Sequence, residues 1–173
     1  MEYLRIYQTV TGGWMDLHPL HGKDELQDNA KACGTLADHG YQIELLPSIA
    51  AGEEALRKKW LPEVYASKNP DVRIDGLWIG DIKTPDQSTH VKKSTINWNI
   101  YSAAKQKVSI AIINLSNREY TVQDVKKGIV GALQPDRNKS IDQVWVITKS
   151  KNLFIAKREM VFDDTIYEAL RTL

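Results

Sequence analysis

Asp75-Gly76, set between the short runs Val72–Ile74 and Leu77–Lys83, constrains this chain more than any other feature. An Asp-Gly pair suits the positive φ angles of a two-residue hairpin turn, so an antiparallel strand is predicted on each side of it. Successive side chains on an extended strand alternate faces, which puts Leu77, Ile79, Asp81 and Lys83 on one face. That face begins apolar and ends ionic. Asp71 belongs to the partner strand across the turn.

If Asp71 and Asp81 converge, their carboxylates and a main-chain carbonyl such as that of Ile82 supply oxygen ligands for Mg²⁺ or Mn²⁺, hard ions suited to such donors. A metal so held lowers the pKa of a bound water and stabilises charge on phosphoryl oxygens. Lys83, two residues beyond Asp81, is a point charge placed to position or activate the attacking water and to offset developing negative charge. This combination fits phosphodiester hydrolysis. The bland reading of the same residues is a polar hairpin edge with a cross-strand ion pair, which contributes little.

The remaining pattern frames the hairpin with helices and strands. Leu26, Ala30, Cys33 and Ala37 recur at helical spacing and Gly40 follows as a left-handed cap, so a helix is expected over residues 23–39. Tyr41–Leu46 reads as a strand ended by Pro47, and the charged stretch 53–66 as a helix that Pro62 kinks or ends near Leu61. Beyond the hairpin, a helix over Ser94–Gln106, a buried strand over Val108–Leu115, and a helix from Thr121, with Asp124 in a capping-box position, to Leu133 are expected. Strands at Gln143–Thr148 and Leu153–Lys157 then precede a terminal helix opened by Asp163 or Asp164. The fold class is α/β, a mixed sheet flanked by helices. Residues 1–22 are expected to be an appended arm and 23–173 a single domain.

Lys plus Arg total 23 against 22 Asp plus Glu, leaving a formal charge of +1. Whole-molecule attraction to a polyanion is therefore excluded, and any nucleic-acid site must be a local patch. Lys92-Lys93, Lys105, Lys107, Lys126-Lys127 and Arg137-Asn138-Lys139 are the basic clusters available for one. The single cysteine, Cys33, excludes an internal disulfide and reads as a buried apolar side chain. The apolar runs Val108–Leu115 and Val144–Ile147 fall far short of the ~20 residues needed to cross a bilayer. Met1–Tyr7 has an acid at its second position and no apolar core, so no signal peptide is expected. His18 and His21 flank Pro19, which argues for a loop over a zinc site; His90 lies in a polar loop; Trp14, Trp60, Trp78, Trp98 and Trp145 are expected in the core.

Pro70-Asp71 and Asp81-Ile82-Lys83 resemble the core motif of the PD-(D/E)XK nuclease superfamily, and the helix, hairpin, helix order is similar to that of its restriction-endonuclease-like core. Asn29-Ala30, Leu36-Ala37, Gly40–Glu44, Leu46-Pro47, Ile74–Gly76 and Ala103–Gln106 extend the likeness, over about residues 23–155, to the C-terminal nuclease toxin domains of contact-dependent growth inhibition (CdiA-type) proteins. The resemblance implies a Mg²⁺-dependent endonuclease toxin acting on RNA, commonly tRNA, in the bacterial cytoplasm after delivery as part of a secreted protein. It also implies a cognate immunity protein. DNA stays open as a substrate. In the superfamily a helix often adds a glutamate to the metal site, for which Glu25 is the first choice and Glu44 the rival. Gln106, at the end of a polar stripe with Asn99 and Ser102, is a candidate to orient the water or a phosphate. Residues 48–68 lie outside the pattern as a charged insert. The competing functions are a nuclease-like binding module without catalysis, and a metal-independent RNase of the barnase or colicin type.

Overall fold

The hairpin forms as its turn residues dictate. In a computed structural model, which describes residues 1–173, Asp75 and Gly76 take φ of 51° and 68°, the pair of positive angles that matches the twist of the flanking strands. The chain is organised as two units, Met1–Asp81 and Ile82–Leu173.

The first unit runs β1 (Leu4–Gln8), β2 (Trp14–Leu17), α1 (Leu26–Asp38), β3 (Gln42–Leu45), α2 (Glu54–Trp60), β4 (Val72–Ile74) and the start of β5 (Trp78–Lys83). β1 pairs antiparallel with β2, β2 parallel with β3, and β3, β4 and β5 follow antiparallel. Residues 1–22 are thus no appended arm, because β2 pairs with β3 along its whole length. α1 buries Ala32, Cys33, Leu36 and Ala37, and the strands bury Ile43, Leu45, Val72 and Ile74. The helix stops where Gly40 enters the left-handed region at φ 93°. There the Tyr41 and Gly40 amides donate to the carbonyls of Leu36 and Ala37 (3.2 and 2.9 Å), which satisfies helix-end acceptors. Gly13 has no alternative either, since a β-carbon there would stand 1.8 Å from the Ala37 carbonyl oxygen.

The charged insert packs onto the sheet through a small core, Leu46, Ile49 and Leu61 with Leu56, Trp60, Val64 and Ile79 of β5 against them. Arg57 staples it: its guanidinium donates to the carbonyls of Ile49, Tyr65 and Lys68 and to Asn69 Oδ1. α2 ends just before Leu61, as Pro62 requires.

In the second unit come α3 (Lys93–Ala104), β6 (Ile110–Asn114), α4 (Val122–Ala132), β7 (Gln143–Ile147), β8 (Leu153–Lys157), α5 (Arg158–Phe162) and α6 (Ile166–Ala169). β6 and β7 are parallel with α4 as the crossover between them, and β8 returns antiparallel to β7. All five residues of β6 are buried, which explains its unbroken apolar run. Thr121 caps α4 by accepting from the Asp124 amide (3.1 Å), and Asp124 Oδ1 in turn accepts from the Lys93 amide at the start of α3 (3.2 Å). α3 and α4 pass so close that a β-carbon at Gly128 would lie 2.5 Å from Ile96 Cβ. Both units are mixed sheets with helices, in agreement with the expected fold class.

Two expectations need correction. The terminal helix is broken: α5 begins directly after β8, Asp164 takes φ 62°, and α6 gives way to a 3₁₀ turn at Leu170–Thr172. Asp163 causes the break by accepting from the Thr165 amide and hydroxyl (3.0 and 2.6 Å). The tryptophans are not all core residues either, for Trp145 is 2% exposed but Trp98 60% and Trp78 38%. Trp98 lies off the α3 stripe that buries Ile96, Ile100 and Ala103.

Candidate functional site

Asp71 enters β4 and Asp81 lies near the end of β5. The β4–β5 register pairs Val72 with Gly80, and carried one step further it sets Asp71 across from Asp81. Residues so opposed present their side chains on the same face of a sheet. Both are buried, at 6% and 3% exposure. Continued one residue past the end of β4, that register is compatible with the convergence the hairpin pattern allows.

A chain of buried polar groups fixes Asp71 from behind. Asn29, in α1, donates from Nδ2 to Asp71 Oδ1 (3.1 Å) and to His21 Nε2 (3.2 Å). His21 Nδ1 lies 2.6 Å from the Leu46 carbonyl oxygen. A carbonyl can only accept, so Nδ1 is the donor there and Nε2 is left to accept from Asn29. The main chain closes the loop, with the Leu46 amide donating to the Asp71 carbonyl (2.8 Å). Cys33 senses the same carboxylate: burial first, then the charge of Asp71, pushes its thiol well above the ordinary range.

The other candidates sit as follows. Glu25 is the N-cap residue of α1 and exposed, one turn before Asn29. The carboxylate of Glu44 accepts from Arg73 Nη1 (2.7 Å), and Glu63 accepts from Arg73 Nε (2.5 Å). Burial works against the Glu63 charge, yet the Arg73 hydrogen bond holds its carboxyl below the usual range. Beside them, burial and then the Glu44 charge push the Tyr3 hydroxyl up to about 12. Asp75 serves the turn, its Oδ1 accepting from the Gln42 amide (2.8 Å). In the second unit Ile82 is buried, Lys83 half-buried at the end of β5, and Gln106 half-buried just past α3.

Asn29 and His21 are the residues that sequence reasoning did not assign to this site. One signal existed: Asn29 falls three, four and seven residues before Ala32, Cys33 and Leu36, so it is a polar member of the buried stripe. His18 is a packing residue, edge-on to Trp60 and Tyr3 with ring centroids 4.7 and 5.1 Å away.

The donor set at Asp71 and Asp81 fits a hard divalent ion. No group of three or more His, Cys, Asp or Glu side chains gathers as a metal cage, and two carboxylates with carbonyls and waters are the usual protein share of a Mg²⁺ shell. When bound, such an ion supplies Lewis acidity and a more acidic water.

Comparison with known proteins agrees with this architecture. Residues 68–153 match the family model described as "Contact-dependent growth inhibition CdiA C-terminal domain". Among solved structures, a CdiA-CT/CdiI toxin and immunity complex from Burkholderia pseudomallei is similar, with a TM-score of 0.54 and 22% identity over 81% of this chain and 92% of that one. At that identity the likeness speaks for the fold. No curated protein matches the chain. The matched segment includes Asp71, Asp81, Ile82, Lys83 and Gln106, so over residues 68–153 the chain is similar to the CdiA C-terminal domain of contact-dependent growth inhibition.

Proposed function

We propose that the toxic activity is hydrolysis of phosphodiester bonds by a Mg²⁺- or Mn²⁺-dependent nuclease of PD-(D/E)XK type, with RNA, tRNA above all, as substrate. The observation that carries this reading is the pair of buried carboxylates, Asp71 just before β4 and Asp81 on its antiparallel neighbour β5. Two anions placed together below the surface repel unless a cation or proton joins them, and a divalent cation is the occupant that makes the arrangement useful. Asp71 and Asp81 with the Ile82 carbonyl would hold it.

Lys83 follows Asp81 along β5 and offers its ammonium group to the scissile phosphate or to the attacking water. Asn29 and His21 keep Asp71 in its rotamer, so that the carboxylate is organised before any ligand arrives. Glu25 takes the role of an outer helper on α1. The immunity protein in the similar complex supports a cognate immunity partner for this chain, with action inside the recipient cell after delivery. No helix is long and apolar enough to cross a membrane.

The test is cleavage of total tRNA and of plasmid DNA by wild type and Asp81→Ala, each in Mg²⁺ and in EDTA. The expected result is tRNA cleavage by wild type in Mg²⁺ alone, with a loss of at least about a hundred-fold in the variant, on the scale of removing one catalytic electrostatic group. Cleavage in EDTA that ignores Asp81 would establish a metal-independent RNase instead. No cleavage under any condition, with Mg²⁺ binding also absent, would leave a binding module.

A further inference from the structure

The second unit carries a groove that neither the carboxylate pair nor the family match explains. It lies between α3 and α4, encloses about 560 Å³, and is lined by Lys93, Trp98, Tyr101, Lys127 and Arg137 among others. Trp98 and Tyr101 stand on successive turns of α3 at 60% and 43% exposure. Their ring centroids are 5.5 Å apart and the planes are tilted by 44°. Lys105 braces both, its Nζ 5.4 Å from the Trp98 ring and 4.6 Å from that of Tyr101. Two large rings left in water on a helix with a well-buried opposite stripe are a cost to solubility unless something stacks on them.

The charges point the same way. Arg137 is held by neutral acceptors only, donating from Nη1 to the Gly131 carbonyl and from Nη2 to Asn97 Oδ1 (both 3.0 Å). Its guanidinium is thus pre-positioned by acceptors that carry no formal charge. The sequence has no Asp or Glu between Asp86 and Glu119, and the acid beside the groove is Asp124 in the first turn of α4, whose carboxylate accepts from the Lys93 amide and feels the charge of Lys127. In a protein with a net charge of +1, this is a marked local concentration of positive potential.

We infer that the α3–α4 groove binds single-stranded RNA, with unpaired bases stacking on Trp98 and Tyr101 and phosphates meeting Lys93, Lys127 and Arg137. An aromatic platform beside a cationic track is what an unpaired strand requires, since each base offers a π-face and each nucleotide a phosphate. A duplex buries its base faces and cannot use the rings. The groove would direct the toxin to loops and ends of a folded RNA. This inference rests on the nuclease reading for the choice of RNA, while the binding itself is independent of cleavage.

Fluorescence anisotropy in EDTA tests it, with a labelled oligouridylate, an RNA duplex of equal length, and poly-glutamate as an acidic polypeptide. Wild type should bind the single strand at least about ten-fold tighter than the duplex, and Trp98→Ala/Tyr101→Ala should lose roughly ten-fold or more. Trp98→Phe should retain most of the affinity, and all variants should melt like wild type. Lys93→Ala/Lys127→Ala should flatten the log–log salt slope by about 1.4. Equal binding of single strand and duplex, wild-type affinity in the aromatic double variant, or poly-glutamate bound as well as oligouridylate would each overturn the inference. Groove-dependent binding without tRNA cleavage would sink the nuclease reading alone, and Asp81-dependent cleavage unaffected by the aromatic variant would sink the groove alone.

Discussion

At Asp71 a carboxylate lies below the surface and the fold commits a side-chain amide to it. The Asn29 amide spends its two N–H groups on Asp71 Oδ1 and His21 Nε2, so one residue satisfies two buried acceptors. Asn29→Ala removes both hydrogen bonds, and losing a buried polar partner costs about 1–3 kcal/mol. Urea unfolding should show that loss as a lower midpoint with an unchanged slope; an unchanged midpoint would mean that the amide carries no weight. Asp71 and Asp81 were legible in the sequence because a two-residue turn fixes the register and a strand's period of two fixes the faces. The Asn29–Asp71 contact was not, because it joins residues 42 positions apart and no local period reports on it. Trp98 misled for a related reason: hydrophobicity alone does not say which face of α3 meets the core.

Among the elements, α1, β3, β4, β5, α3, α4, β7 and β8 fall where periodicity, apolar runs and caps place them, because each has a buried face, β7 both, and a recognisable stop. β1 escaped notice because all five of its residues are exposed, so it offers no alternation; it is held by pairing with β2. The broken C-terminal helix was hidden in the same way, for Asp163 suits a helix start and a turn equally well. The α3–α4 crossing yields the sharpest prediction at this scale. A methyl group at position 128 would meet Ile96 Cβ and Cγ2 at 2.5 and 2.6 Å, so Gly128→Ala should destabilise by about 1–3 kcal/mol through overpacking, despite alanine's better helix propensity. Thermal unfolding reads it, and a stabilised variant would show that the helices are free to separate.

For the molecule as a whole, the near-zero net charge conceals its distribution. The acid-free stretch from Gln87 to Arg118 carries Lys92, Lys93, Lys105, Lys107 and Arg118, and the acids lie outside it. Composition excluded a polyanion binder by bulk charge and left a local patch as the only route, for which the α3–α4 groove is the one proposed. The fold class was legible because the hairpin and its flanking helices occupy contiguous sequence. Which groups assemble around the carboxylates was less so, since that depends on packing between distant segments.

The central claim is that Asp71 and Asp81 together hold a divalent cation, and electron paramagnetic resonance of Mn²⁺ titrated with protein reads this without any assumption about substrate. Wild type should quench the free Mn²⁺ signal to a saturating stoichiometry, with Mg²⁺ competing, while Asp71→Asn and Asp81→Asn, verified as folded by circular dichroism, should leave the signal largely undiminished. Equal Mn²⁺ uptake by wild type and both variants would contradict the account, because the ion would then sit elsewhere and the buried carboxylates would be structural.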